Sequence, residues 1–143
     1  MADASATEIA EAYQDVRSNS ETDWLLLDYE GDRSDRLVLT ATGSGGLEEL
    51  KEKLDDTHAS FAYVRVQYAN DKESQREKFV LVIWIGPTVK VMRRAKVSVH
   101  SADVKQVLRA YSIDVSANNK DDLNEETIVT RLRAVGGANY DGV

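Results

Sequence analysis

Apolar residues at Ile9, Ala12, Tyr13 and Val16 recur at helical spacing and form one stripe, so the first predicted element is a helix. Ser5 followed by Glu8 fits a capping box at its start, in which hydroxyl and carboxylate each satisfy a free backbone N–H. The run DWLLLDY over 23–29, the acidic turn Glu30-Gly31-Asp32 and the run RLVLT over 36–40 predict an antiparallel hairpin. Gly43-Ser44-Gly45-Gly46 breaks it, and Leu47, Leu50 and Leu54 then mark the inner face of a short helix. FAYVRVQY over 61–68 reads as a half-buried strand, with Arg65 and Gln67 alternating against Val64 and Val66. A polar stretch over 70–77 leads to seven consecutive apolar residues over 79–85. With no polar face, that strand is expected in the centre of a sheet, covered on both sides by helices.

Gly86-Pro87 ends it, and 88–111 reads as two helical parts joined at Val97-Ser98-Val99, where small and β-branched residues predict a bend or break. Val104, Val107, Leu108 and Tyr111 give the second part its apolar stripe. A short strand over 112–116 follows, then an acid-led helix over about 121–134 with Ile128, Leu132 and Val135 inward and Gly136-Gly137 as its stop. The element order is αββαββαβα. The predicted fold is α/β (α+β): a central mixed sheet of five to six strands sandwiched between helices.

A chain of 143 residues with 42% hydrophobic and 30% charged residues and one proline fills one core, so 1–143 reads as a single domain with its core over about 5–135 and a short tail over 136–143. There is no cysteine, which removes disulfides, thiolate metal sites and thiol nucleophiles. No apolar run approaches the roughly 20 residues of a membrane span, and the cytoplasm is the simplest location. A formal net charge of −7 argues against nucleic acid as a partner.

Candidate chemistry is sparse. The Gly43–Gly46 run before a helix invites a phosphate cradle, yet no Lys-Ser or Lys-Thr pair follows and Glu48 and Glu49 fill the first turn. The acids at Glu48, Glu49, Glu52, Asp55 and Asp56, and at Asp121, Asp122, Glu125 and Glu126, lie on polar faces and at helix starts, as solvated charge does. Asp28, Glu30 and Asp32 alternate like calcium ligands but lack the glycine and the downstream glutamate of a hand-type loop. His58 and His100 sit among polar neighbours with no nucleophile-turn motif. No catalytic centre, cofactor or metal is expected. The cations say more: Lys90, Arg93 and Arg94 fall at i, i+3 and i+4 on one helical face, with Lys96 beside them and Val89 and Met92 in the adjoining stripe. In an acidic chain such a face can steer and dock an acidic partner, and Arg76 and Lys78 add a second positive spot before the central strand.

KFVLVIWIGP over 78–87, RRAK over 93–96, FAYVRV over 61–66 and above all GGANYDG over 136–142 resemble the coactosins, a branch of the actin-depolymerising-factor homology family. The resemblance runs over nearly the whole chain. It implies that family's fold, and filamentous actin as the partner of a monomeric, cytoskeletal protein. Binding would lie along the filament side and modulate filament dynamics or capping, without catalysis. Monomeric actin with cofilin-like severing or depolymerisation, or a non-actin protein bound by a regulatory adaptor, are the alternatives. Carried over, the lysine before the central strand is Lys78, with Arg76 beside it, and the basic helix start supplies Lys90, Met92, Arg93, Arg94 and Lys96. Gln75 and Glu77 depart from the more positive approach of relatives, and Ala134 and Val135 stand where coactosins tend to place lysine, leaving Arg133 as the substitute.

Overall fold

The computed structural model describes residues 2–18, 20–31, 33–69 and 75–141, with side chains described as far as residue 135. Helix α1 (Thr7–Arg17) is followed by β1 (Trp24–Tyr29), β2 (Leu37–Gly43), α2 (Gly46–Lys53), β3 (Ala59–Ala69), β4 (Gln75–Ile85), α3 (Val91–Val107), β5 (Ile113–Ala117), a 3-10 turn (Lys120–Leu123) and α4 (Glu125–Asp141). The order is the expected αββαββαβα with that single turn added. The strands form one five-stranded sheet in the order β2-β1-β3-β4-β5. Among these five strands β4 and β5 pair in parallel, joined across α3, and β1–β2, β1–β3 and β3–β4 pair antiparallel, so the sheet is mixed.

Each face of the sheet has its own core. On one, Ile9, Ala12, Tyr13 and Val16 of α1 and Val97 and Val104 of α3 pack on Leu25, Leu27, Phe61, Tyr63, Leu81 and Ile83. On the other, Leu47 and Leu50 of α2 and Ile128 and Leu132 of α4 cover Trp24, Leu26, Val64, Val80, Val82 and Trp84. This is why β4 has no polar face over its second half: alternate residues enter different cores. The same holds for β3, which occupies the middle of the sheet. It is buried on both faces from Ala59 to Val64, more deeply than the half-buried strand expected, because it is flanked by β1 and β4 and covered by helices on each side.

Four local expectations are corrected. Ser5 does not cap α1; its hydroxyl donates to the Asp3 carboxylate, and Ala6 is the N-cap without a side-chain bond. Asp3 is held elsewhere, its N–H donating to the Asp35 carbonyl and its own carbonyl accepting from Leu37 N–H, which draws Ser5 out of capping position. Helix α3 is continuous through Val97-Ser98-Val99. The propensity cost of a β-branched residue is only about 0.5 kcal/mol, less than the gain from burying Val97. Helix α4 continues past Gly136-Gly137 to Asp141; a glycine stop needs a left-handed residue, and among the described residues only Gly46 has positive φ. Val135 is exposed rather than inward.

Candidate functional site

The predicted cations fall at two places, at opposite ends of β4. The first is an arm formed by the last residues of β3 and the first of β4. The polar stretch expected before the central strand is itself partly strand: Gln75, Arg76, Glu77 and Lys78 pair with Ala69, Tyr68, Gln67 and Val66. Arg76 is exposed and Lys78 half-buried, and among the described residues neither is in an ion pair. Glu77 points its charge inward along the arm, accepting from the Gln67 amide at 3.0 Å and lying 3.8 Å from Arg65 Nε. Arg133 of α4 donates to the Ala69 carbonyl at 2.8 Å and lies over the Tyr68 ring, so it ties α4 to this arm.

The second place is the start of α3. Lys90 is the N-cap, exposed, and in no ion pair among the described residues. Val91 and Met92 stand 79% and 77% exposed, which is unusual for large apolar side chains in an otherwise filled fold. Val99, also exposed, continues this outer side two turns on. Arg94 lies on the surface with its guanidinium donating to the Pro87 and Val89 carbonyls at 3.3 Å. Lys96 Nζ is 3.4 Å from the Asp35 carboxylate.

Arg93 leaves the face that spacing assigned to it. Its side chain is only 13% exposed. The guanidinium carbon sits 3.8 Å from the Tyr29 ring centroid, and the nitrogens donate to the Gly31 and Ser34 carbonyls at 3.1 and 3.0 Å and lie 3.7 Å from Asp35. The signal was present in the sequence. Arg93 is four residues before Val97 and seven before His100, on the same inner stripe as Val104, whereas Val91 and Met92 fall on the opposite side. Next to Arg93, His100 is buried at 2% exposure, not among polar solvent-facing neighbours: its Nδ1 shares a hydrogen bond with the Tyr29 hydroxyl at 2.7 Å, and Nε2 is 3.9 Å from Asp35. Desolvation pushes the Tyr29 phenol up to about 12, against the lowering effect of Arg93. Desolvation also works to raise the Asp35 carboxyl, but the bond and charge of Lys96, with His100 beside it, hold it below the ordinary carboxylate value.

The other candidates have structural occupations. Glu49 turns back on the glycine run, accepting from Gly45 N–H at 3.1 Å and from the Trp24 indole at 2.9 Å, so the anion at the start of α2 is the chain's own. Asp28 accepts the Ser60 hydroxyl and, at 2.7 Å, the Thr40 hydroxyl, with His58 3.6 Å away; Ser60 bonds the acid and not the histidine, so this is no nucleophile triad. Asp32, the third member of the alternating acids, lies outside the described residues, as do Gly142 and the side chains of the GGANYDG run.

Neither place is a cleft; both are outward-facing surfaces that carry cations, and the start of α3 adds the exposed apolar Val91 and Met92. The family model for cofilin/tropomyosin-type actin-binding proteins matches residues 1–133. The chain belongs to this family. Among cofilin/tropomyosin-type relatives, coactosin of Dictyostelium discoideum is 42% identical over 144 residues, spanning 99% of this chain and 97% of that protein. The crystal structure of Entamoeba histolytica coactosin superposes with a TM-score of 0.85 at 31% identity, covering 95% of this chain and 97% of the other. Mouse coactosin, an actin filament binding protein, has a solution structure that matches with a TM-score of 0.72 at 31% identity, covering 92% and 90%. The coactosin resemblance and the fold expected from sequence are both borne out.

Proposed function

We propose that this chain binds actin filaments along their sides through the β3–β4 arm and the start of α3, and modulates filament dynamics or capping without catalysing a reaction. The observation that carries the reading is the start of α3, where Val91 and Met92 project from the surface between Lys90 and Arg94 in a chain of net charge −7. Exposed apolar groups ringed by cations fit a partner that is acidic overall and has an apolar depression. The family supplies actin as that partner, and the likeness to mouse coactosin supports the filament as its form. Lys78 and Arg76 supply the attraction at the far end, with Lys96 and Arg133 bordering the two surfaces.

High-speed co-sedimentation with filamentous actin over a range of salt tests this. Saturable pelleting that weakens with salt, with no rise in unpolymerised actin, is the expected result. A protein that stays in the supernatant at low salt overturns it, and accelerated loss of polymer would assign cofilin-like depolymerisation instead.

A further inference from the structure

We propose that Arg65 and Glu77 are positioning residues for the docking arm: their pairing fixes which way the first residues of β4 face, so the negative charge of Glu77 strengthens filament binding instead of opposing it. This rests on the reading of the β3–β4 arm as a docking surface.

The arm is the least supported part of the sheet. β1 accompanies β3 only as far as Val64, and β5 joins β4 only from Val80 onward. Beyond those points residues 65–69 and 75–79 have each other as strand partners. A two-stranded ribbon is marginal in water by itself, and a slip of one residue would turn every side chain to the other face. Successive strand residues point opposite ways, so Arg65, Gln67 and Glu77 share one face and Val66, Tyr68, Arg76 and Lys78 the other. The β3 side of the ribbon is fixed by burial, because Val66 and Tyr68 enter the core that α4 covers, and Arg133 holds the Ala69 carbonyl from above. The β4 side has no such anchor. Gln75, Arg76 and Glu77 are exposed and Lys78 is half-buried, so their facing depends on polar contacts.

Arg65 supplies the contact. Its side chain is 8% exposed, and its guanidinium donates to the Val16, Ser18 and Ser20 carbonyls at 3.0, 2.6 and 2.7 Å, at the end of α1 where helix carbonyls lack partners. A guanidinium with so little water needs an acid, and among the described residues Glu77 is the acid paired with it, 3.8 Å from Nε. The same carboxylate accepts from the Gln67 amide at 3.0 Å. Glu77 therefore ties the start of β4 through Arg65 to the end of α1. With Glu77 turned to that face, Arg76 and Lys78 on either side of it must project from the other.

Glu77→Gln separates positioning from simple charge. It removes a negative charge from the arm of an acidic chain, so attraction alone would tighten filament binding, whereas loss of the pairing should weaken it about threefold. Co-sedimentation at low salt reads the sign, and binding as tight as wild type or tighter overturns the proposal. Amide hydrogen exchange on the free chain reads the cause. In Glu77→Gln the amides of residues 75–78 that bond β3 should exchange about fivefold faster, while those of residues 80–84 keep their wild-type rates. Unchanged exchange at 75–78 also overturns the proposal, since weaker binding would then come from direct contact between Glu77 and the filament. Exchanging the two groups, Gln67→Glu with Glu77→Gln, restores a carboxylate beside Arg65 and an amide across from it at wild-type charge. That double variant should recover both exchange and affinity; one as loose as Glu77→Gln refutes the pairing. Arm exchange that follows this pattern in a chain that never pellets would uphold the hold on the arm and sink the actin reading instead.

Discussion

Replacing Arg93 by alanine separates anchoring from docking. The guanidinium makes two charge-assisted bonds to the Gly31 and Ser34 carbonyls and covers the Tyr29 ring at 3.8 Å. Bonds from a charged donor contribute about 1.5–3 kcal/mol each when the partners are left dry, and a partly desolvated cation–π contact about 1 kcal/mol. Both carbonyls lie in a turn that water can reach once the side chain is gone, which returns about half of the bond energy, so the net loss should be about 2.5–4 kcal/mol. For a chain of this length each kcal/mol moves the melting temperature by about 3–5 °C, giving a fall of roughly 8–20 °C. Arg93→Lys keeps the charge but not the planar fork, and should recover less than half of it. Arg94→Ala and Met92→Ala, on the exposed side of the same helix, should each stay within about 0.5 kcal/mol of wild type. Urea unfolding followed by tryptophan fluorescence measures all four. An Arg93→Ala chain as stable as Arg94→Ala would refute the division of α3 into an anchoring and a presenting side.

Lys78→Glu should weaken filament co-sedimentation about tenfold, or about 1.4 kcal/mol, without lowering the melting temperature; an unchanged isotherm removes Lys78 from the surface. Combined with Met92→Ala, it should multiply the two affinity losses, since the positions are separated by most of β4, and a double variant no worse than the poorer single one would place them on one contact. Gly86→Ala should destabilise the fold by about 1–3 kcal/mol in urea, because a Cβ there would meet the Asp56 carbonyl oxygen at 2.1 Å and that oxygen belongs to backbone. Glu49, held below the ordinary carboxylate value by the Trp24 and Gly45 bonds, contributes stability at neutral pH that disappears as pH falls through its lowered folded value. Glu49→Ala should therefore melt lower than wild type at pH 7 and converge with it in acid; a constant difference across that range would deny the carboxylate its role.

Periodicity revealed the elements and most of the core because burial follows spacing. Ile9, Ala12, Tyr13 and Val16 all face inward, and the seven apolar residues ending in Ile85 lie in a strand covered on both faces. The errors came where a short-range rule met a longer-range claim on the same residue. Ser5 is drawn from its cap because Asp3 joins the turn before β2, and Val97-Ser98-Val99 stays helical because Val97 is needed in the core. Charge was harder to read than apolarity. A cation reports its fate only through what faces it, and Arg93 faces Tyr29, Asp35 and two carbonyls that lie about sixty residues earlier in the chain.

The same limit explains what the two surfaces have in common. Lys78 and Lys90 are the basic residues at either end of β4, and Lys78 to Ile85 alone spans about 23 Å at about 3.3 Å per residue. A partner that touches both must present a broad face, wider than a cleft that would enclose one loop, which is why the side of a polymer suits them better than a small ligand. At each end an acid already serves the chain's own groups: Glu77 lies beside Arg65 and accepts from the Gln67 amide, and Asp35 faces Arg93 and Lys96. Among the described residues Arg76, Lys78 and Lys90 are in no ion pair, which leaves attraction for an acidic partner at both ends of β4.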